Sequence, residues 1–108
     1  MSTKEPHPSL NLDDELIKKI IQETAPIPWT ELQRFFAAGQ VVQVHSSLDL
    51  VLVAKKFSDD DSGQIEKWMD ENLLGLVNDD TAEYWLDIEA ELWTSVVAPW
   101  ILVQRKAS

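Results

Sequence analysis

The chain of 108 residues contains no cysteine, which excludes disulfides, thiolate metal sites and thiol catalysis. The same absence leaves the redox compartment unassigned. Its three glycines stand isolated at positions 39, 63 and 75, so no glycine-rich loop is available to cradle phosphate. Two histidines, His7 and His45, lie too far apart to make a metal-ligand spacing. No run of eighteen apolar residues exists, so no bilayer-spanning helix is expected. Residues 1–10 are polar and carry Pro6 and Pro8, unlike a secretory signal, and read as a disordered tail before a single domain over residues 11–108. A cytoplasmic location is the simplest expectation.

Basic residues are also scarce. Nine Lys and Arg face nineteen Asp and Glu, for a formal charge of −10. The excess is spread along the chain: residues 1–39 hold four bases and six acids, residues 40–78 three and seven, residues 79–108 two and six. No third is net basic, so the electrostatic term that supplies most non-specific DNA affinity opposes binding. Such acidity serves solubility, and it would also suit a basic partner surface.

What the chain does contain is helical periodicity. Leu50, Val53, Ala54 and Phe57 recur at i, i+3, i+4, i+7, and Ile65, Trp68, Met69 and Leu73 repeat the pattern. A polar turn with one glycine separates them, the outline of a helix-turn-helix. The turn, however, holds Asp59, Asp60 and Asp61, and the second helix sets Glu66, Asp70 and Glu71 against Lys67 alone.

Elsewhere, a first helix is expected from residues 12–14 to just before Pro26, with Leu16, Ile17, Ile20 and Ile21 as its apolar stripe. A second begins near Pro28, presents Trp29, Leu32, Phe35 and Phe36, and ends at Gly39. Val41, Val42 and Val44 read as a short strand, and Leu76 and Val77 as a second. Another helix begins near Asp79 or Asp80, with Ala82, Trp85, Leu86, Ile88 and Leu92 on its apolar side. Residues 93–104 are β-rich, and Pro99 demands an edge, a bulge or a break among them. Glu66-Lys-Trp68-Met-Asp70 is echoed seventeen residues later by Glu83-Tyr-Trp85-Leu-Asp87, as two amphipathic helices anchored by tryptophan.

Candidate chemistry is thin. His45, Ser46, Ser47 and Asp49 supply the residue types of a hydrolase triad, but triads are assembled from separate segments, and Asp49 or Ser47 reads better as a helix N-cap. Counted as a calcium loop from Asp59, the chain places Gly63 at position 5, Gln64 at 6 and Asp70 at 12, failing the EF-hand pattern at all three. No catalytic residue, metal ligand or cofactor site is expected. Trp29, Trp68 and Trp85 belong on core faces, whereas Trp93 and Trp100 flank Pro99 and could stand partly exposed. Trp93, Pro99, Trp100 and Leu102 are therefore the candidate contact residues, and residues 96–103, low in charge, would be an adhesive edge if uncovered.

Trp29-Thr-Glu-Leu-Gln-Arg-Phe-Phe-Ala-Ala-Gly39, Leu48-Asp-Leu-Val51, the helices around Trp68 and Trp85, and Val96-Val-Ala-Pro-Trp-Ile-Leu-Val-Gln104 together resemble an uncharacterised family of short bacterial proteins, the domain of unknown function 2288. The resemblance covers about residues 12–105. It implies a single bacterial cytosolic domain and assigns no catalytic or binding residue.

The expectation is an α+β domain, mainly helical, with a small sheet from Val41–Val44, the C-terminal segment and Leu76 with Val77, arranged somewhat like a winged helix. Its expected role is a non-enzymatic protein-interaction module with an acidic surface, engaging a protein partner or a second copy of itself. A degenerate helix-turn-helix reading nucleic acid, and a small-ligand domain or an enzyme with a site built from scattered residues, are the alternatives. Nucleic acid and membrane are not the expected partners.

Overall fold

A computed structural model describes residues 24–105. The tail over residues 1–10 and the first helix expected before Pro26 lie outside the described residues. Nine elements follow in order: β1 (Ala25–Pro28), α1 (Trp29–Ala37), β2 (Val41–Val44), α2 (Leu50–Ser58), α3 (Ser62–Asp70), β3 (Leu74–Leu76), α4 (Asp79–Asp87), β4 (Glu91–Val97) and β5 (Trp100–Arg105). The result is α+β, with more helix than strand. The strands form one mixed sheet in the order β1-β4-β5-β2-β3. β2 and β5 run parallel, with Val42 opposite Leu102, and every other neighbouring pair is antiparallel.

Alternation along the strands sends neighbouring residues to opposite faces of the sheet. Val41, Leu92, Ile101 and Val103 join Trp29 and Leu32 of α1 and Ala82 and Trp85 of α4 in one core. Val42, Val44, Leu74 and Leu102 join Leu50, Val53 and Ala54 of α2 and Trp68 of α3 in the other. The arrangement is more sheet-centred than a winged helix, because a pair of helices covers each face. Trp29 packs edge-on against Trp85, with ring centroids 5.2 Å apart, which ties α1 to α4.

The helices begin where the sequence supplies caps. The Asp49 carboxylate accepts from Val51 N at 2.9 Å and Leu52 N at 3.4 Å, Asp61 accepts from Gln64 N, and Asn78 accepts from Thr81 N. Pro28 stands at the N-cap of α1 without a side-chain bond and leaves Glu31 in the first turn.

The four described helices also end alike. Gly39, Asp60, Asn72 and Glu89 all adopt positive φ, at 73°, 59°, 62° and 52°. Each N–H reaches back to the helix, and the next N–H reaches one residue further: Gly39 to Phe36 and Gln40 to Phe35, Asp60 to Phe57 and Asp61 to Lys56, Asn72 to Met69 and Leu73 to Trp68, Glu89 to Leu86 and Ala90 to Trp85. This is the Schellman arrangement, repeated four times. After α1, α3 and α4 the chain enters a strand at the same offset, starting at Val41, Leu74 and Glu91. The echo of Trp68 in Trp85 is thus a repeated helix-to-strand corner with an aromatic side chain beneath it, and Phe35 takes that place in α1.

Several expectations shift. Ala25–Pro28, where one helix was expected to end and the next to begin, is a strand, β1. The strand anticipated at Leu76 and Val77 lies at Leu74–Leu76. Leu86 and Ile88 are exposed and Leu92 belongs to β4, because α4 ends at Asp87. The C-terminal segment is two strands in the middle of the sheet: Ile101–Val103 of β5 are paired on both sides, whereas Val96 and Val97 of β4 extend past the described end of β1. Ala98 and Pro99 form the two-residue turn between them, with a cis Ala98–Pro99 peptide.

Candidate functional site

β2 and β5 start, and β3 and β4 finish, at one end of the sheet. On the α2–α3 face that end is only partly covered, because α3 leans on the sheet mainly through Trp68. A groove of about 460 Å³ remains between α3 and the turn at Pro99. Val42, Leu74, Leu76 and Val97 line its sheet side, Phe57, Ile65 and Met69 its helix side, and Pro99 and Trp100 its end. Met69 is 49% exposed, Leu76 57% and Trp100 37%, so apolar surface stands open to water here. The charged residues lining it are Asp60 and Glu66, both acidic.

The candidate contact residues are therefore divided. Pro99 and Trp100 belong to the groove. Trp93 lies on the same sheet face opposite Gln104, while Trp100 pairs with Val97. Four residues of strand separate the two tryptophans, about 13 Å. Leu102 is a correction: at 0% exposure it faces Leu50 and Val53 in the core and offers no contact surface. β-strand alternation explains this, since the segment is central and both of its faces are covered beyond Trp100.

Sequence reasoning missed Phe57, Ile65, Met69 and Leu76 as groove residues. The 3–4 spacing that marks Ile65 and Met69 as apolar is also the spacing of a core face. The available signal was the composition of α3, whose acids Glu66 and Asp70 crowd beside that stripe and leave it narrow.

His45 and Ser47 do meet: Ser47 Oγ lies 2.9 Å from His45 Nδ1, and the Ser47 N–H donates to the same nitrogen at 3.0 Å. A ring nitrogen that accepts this backbone proton is the unprotonated one. Asp49 is committed to the α2 N-terminus and does not orient the imidazole. The contact is a two-residue turn lock, and Gln104 reinforces it by donating through Nε2 to His45 O and Leu48 O at 3.0 and 2.6 Å. His45 also borders a separate polar depression of about 280 Å³ with Gln43, Asn72 and Asn78.

The three aspartates are accounted for by structure. Asp59 bridges to Lys55 at 2.6 Å, Asp60 occupies the left-handed position, and Asp61 caps α3 with Lys56 3.4 Å away. The Gln64 N–H bond, aided by Lys56, holds the Asp61 carboxyl below its ordinary pKa. Among the described residues no cluster of three metal-ligating side chains forms, and no helix is long and apolar enough to cross a membrane. The exposed side of α3 presents Glu66, Lys67 and Asp70.

Fold and groove define a small α+β domain with a central mixed sheet, and its sequence matches, over residues 15–105, the model of a protein family of unknown function, DUF2288, to which the chain belongs. It is similar to PA1075 from Pseudomonas aeruginosa, known from a solution NMR structure, with 41% identity over 87% of each chain and a TM-score of 0.77. No curated protein matches it.

Proposed function

We propose that the domain is a non-enzymatic protein-interaction module that contacts its partner through the groove between α3 and the Pro99 turn. The observation that carries this reading is the open apolar surface of Met69, Leu76 and Trp100 around one concavity. Aromatic and methionine side chains are favoured at contact surfaces, and an acidic rim selects a partner bearing Lys or Arg. Nucleic acid suits the groove poorly, since phosphates would approach Asp60, Glu66 and Asp70.

A photo-crosslinking amino acid placed at Leu76, and separately at Glu83 on α4, tests this in the host cell. A discrete adduct from position 76 alone, abolished by Met69→Glu, supports the reading. No adduct at position 76, or equal adducts at both positions, refutes it. Native mass spectrometry of the adduct then gives its mass and separates a different protein from a second copy.

A further inference from the structure

The groove opens beside a sheet edge, and the two edges of this sheet are built differently. In the β2–β3 pair, His45 N–H donates to Leu73 O and Val77 N–H to Val41 O. The register pairs Gln43 with Gly75 between them. In an antiparallel ladder the bonded positions alternate, so residues 73, 75 and 77 direct their main chain toward β2. Leu74 and Leu76 direct their N–H and C=O groups away from the sheet, and among the described residues no main-chain partner meets them. At the opposite edge, Trp29 N–H donates to Ala90 O and Pro28 pairs with Glu91. The outward positions of β1 are therefore 26 and 28, and both are proline. Along Ala25–Pro28 that edge presents no outward N–H, which opposes regular pairing with another strand there. Of the two described edge strands, only β3 offers both donors and acceptors at its outward positions, and its groove-side residue Leu76 is open to solvent.

We propose that β3 accepts an extended segment of a partner protein by strand addition, and that this segment carries alternate apolar residues flanked by Lys or Arg. The inference rests on the groove being a contact surface and specifies how it is engaged. Main-chain bonds to Leu74 and Leu76 set the segment's register. Its residues opposite Leu74 and Leu76 fall on the α2–α3 face, beside Met69 and Ile65. Its intervening residue lies opposite Gly75, whose missing side chain leaves that position open. Charge chooses the flanks: Asp60 and Glu66 line the groove, and the chain carries a formal −10. A second copy would bring the same acids against one another, so the occupant is a basic segment of a different protein.

The test uses the full ¹⁵N-labelled chain and an acetylated peptide, Lys-Lys-Val-Thr-Val-Thr-Val-Lys-Lys, followed by amide NMR. The expected result is saturable shifts at Ile65, Met69, Leu74, Leu76 and Trp100, with the Leu74 and Leu76 amides newly protected from hydrogen exchange. The same peptide with alternate backbone nitrogens methylated loses two main-chain donors and should bind about tenfold more weakly or worse. Equal binding of the methylated peptide overturns strand addition while leaving groove contact standing. Equal or tighter binding of a Glu-flanked peptide overturns the charge assignment. Shifts at Leu74 and Leu76 on concentrating the protein alone, with a dimer mass, make a second copy the occupant and overturn the proposal. No shift with any peptide in the millimolar range overturns strand addition, since main-chain pairing tolerates sequence; the adduct at position 76 then judges groove contact separately.

Discussion

Glu89 gives the sharpest test of the helix-end geometry. It occupies the same left-handed position after α4 that Gly39 occupies after α1, with φ of 52° against 73°. A left-handed conformation costs an L-residue about 1–2 kcal/mol, and glycine returns about 0.5–1 kcal/mol of that through greater freedom when unfolded. Glu89→Gly should therefore stabilise the domain by about 0.5–1 kcal/mol, raising Tm by roughly 2–6 °C. The side chain is exposed, so no packing is lost. Its carboxylate also sits at the negative end of α4, where removal of charge alone helps by about 0.3 kcal/mol. Glu89→Ala isolates that part, because it deletes the charge and keeps the Cβ. Urea unfolding followed by tryptophan fluorescence reads all three proteins, with Trp85 directly beneath the corner. Equal stabilities for the glycine and alanine variants, or a less stable glycine variant, would refute the backbone argument.

Other positions follow from the same structure. Gly39→Ala forces a Cβ into φ of 73° and should cost about 1 kcal/mol by the same assay, although nothing crowds the site. Ser95 is buried and its hydroxyl has no partner among the described residues, so Ser95→Ala should be neutral or stabilising by up to about 1 kcal/mol; a loss exceeding that would reveal an unrecognised bond. Asp49→Ala removes the α2 cap and should cost about 1 kcal/mol in urea unfolding. The lowered pKa of Asp61 means that its ionised form is favoured by folding, so its contribution is full above its unfolded value near 4 and fades as pH falls below that. The stability difference between wild type and Asp61→Ala should accordingly narrow from pH 6 to pH 3, and a widening difference would contradict the cap. Trp85→Ala should cost about 3–5 kcal/mol, tested by the shift of the urea midpoint.

Periodicity carried the helices well. The strips Leu50, Val53, Ala54 and Ala82, Trp85 are buried as their spacing requires, and Asp49 and Gly39 mark ends as capping chemistry requires. The sheet was legible at Val41–Val44, offset by one to two residues at Leu74–Leu76, and as one undivided β-rich segment over residues 93–104. β1 was hidden because Pro26 and Pro28 belong equally to a linker and to a protected edge. β4 and β5 ran together in sequence because apolar residues occupy exposed as well as buried positions of β4, at Trp93 and Val96, and Ile101–Val103 of β5 are buried on both faces, which erases the alternation that separates strand from strand. The groove was half legible: Pro99 and Trp100 declared themselves as exposed aromatic and turn residues. Ile65 and Met69 did not, because helical spacing states which face is apolar and is silent on how much of that face the sheet covers. Leu102 was misjudged for the complementary reason.

The place of β5 governs the order in which the molecule can be made. Ile101 and Val103 complete one core and Leu102 the other, and β5 is the strand that joins β4 to β2. Every other described element precedes it in the chain. A ribosome extending this chain exposes α1, β2, α2 and α3 while both halves of the interior still lack their shared wall. Among the described residues, then, both cores wait on a single strand, and the contact that completes them, β2 with β5, spans sixty residues of sequence, as from Val41 to Ile101.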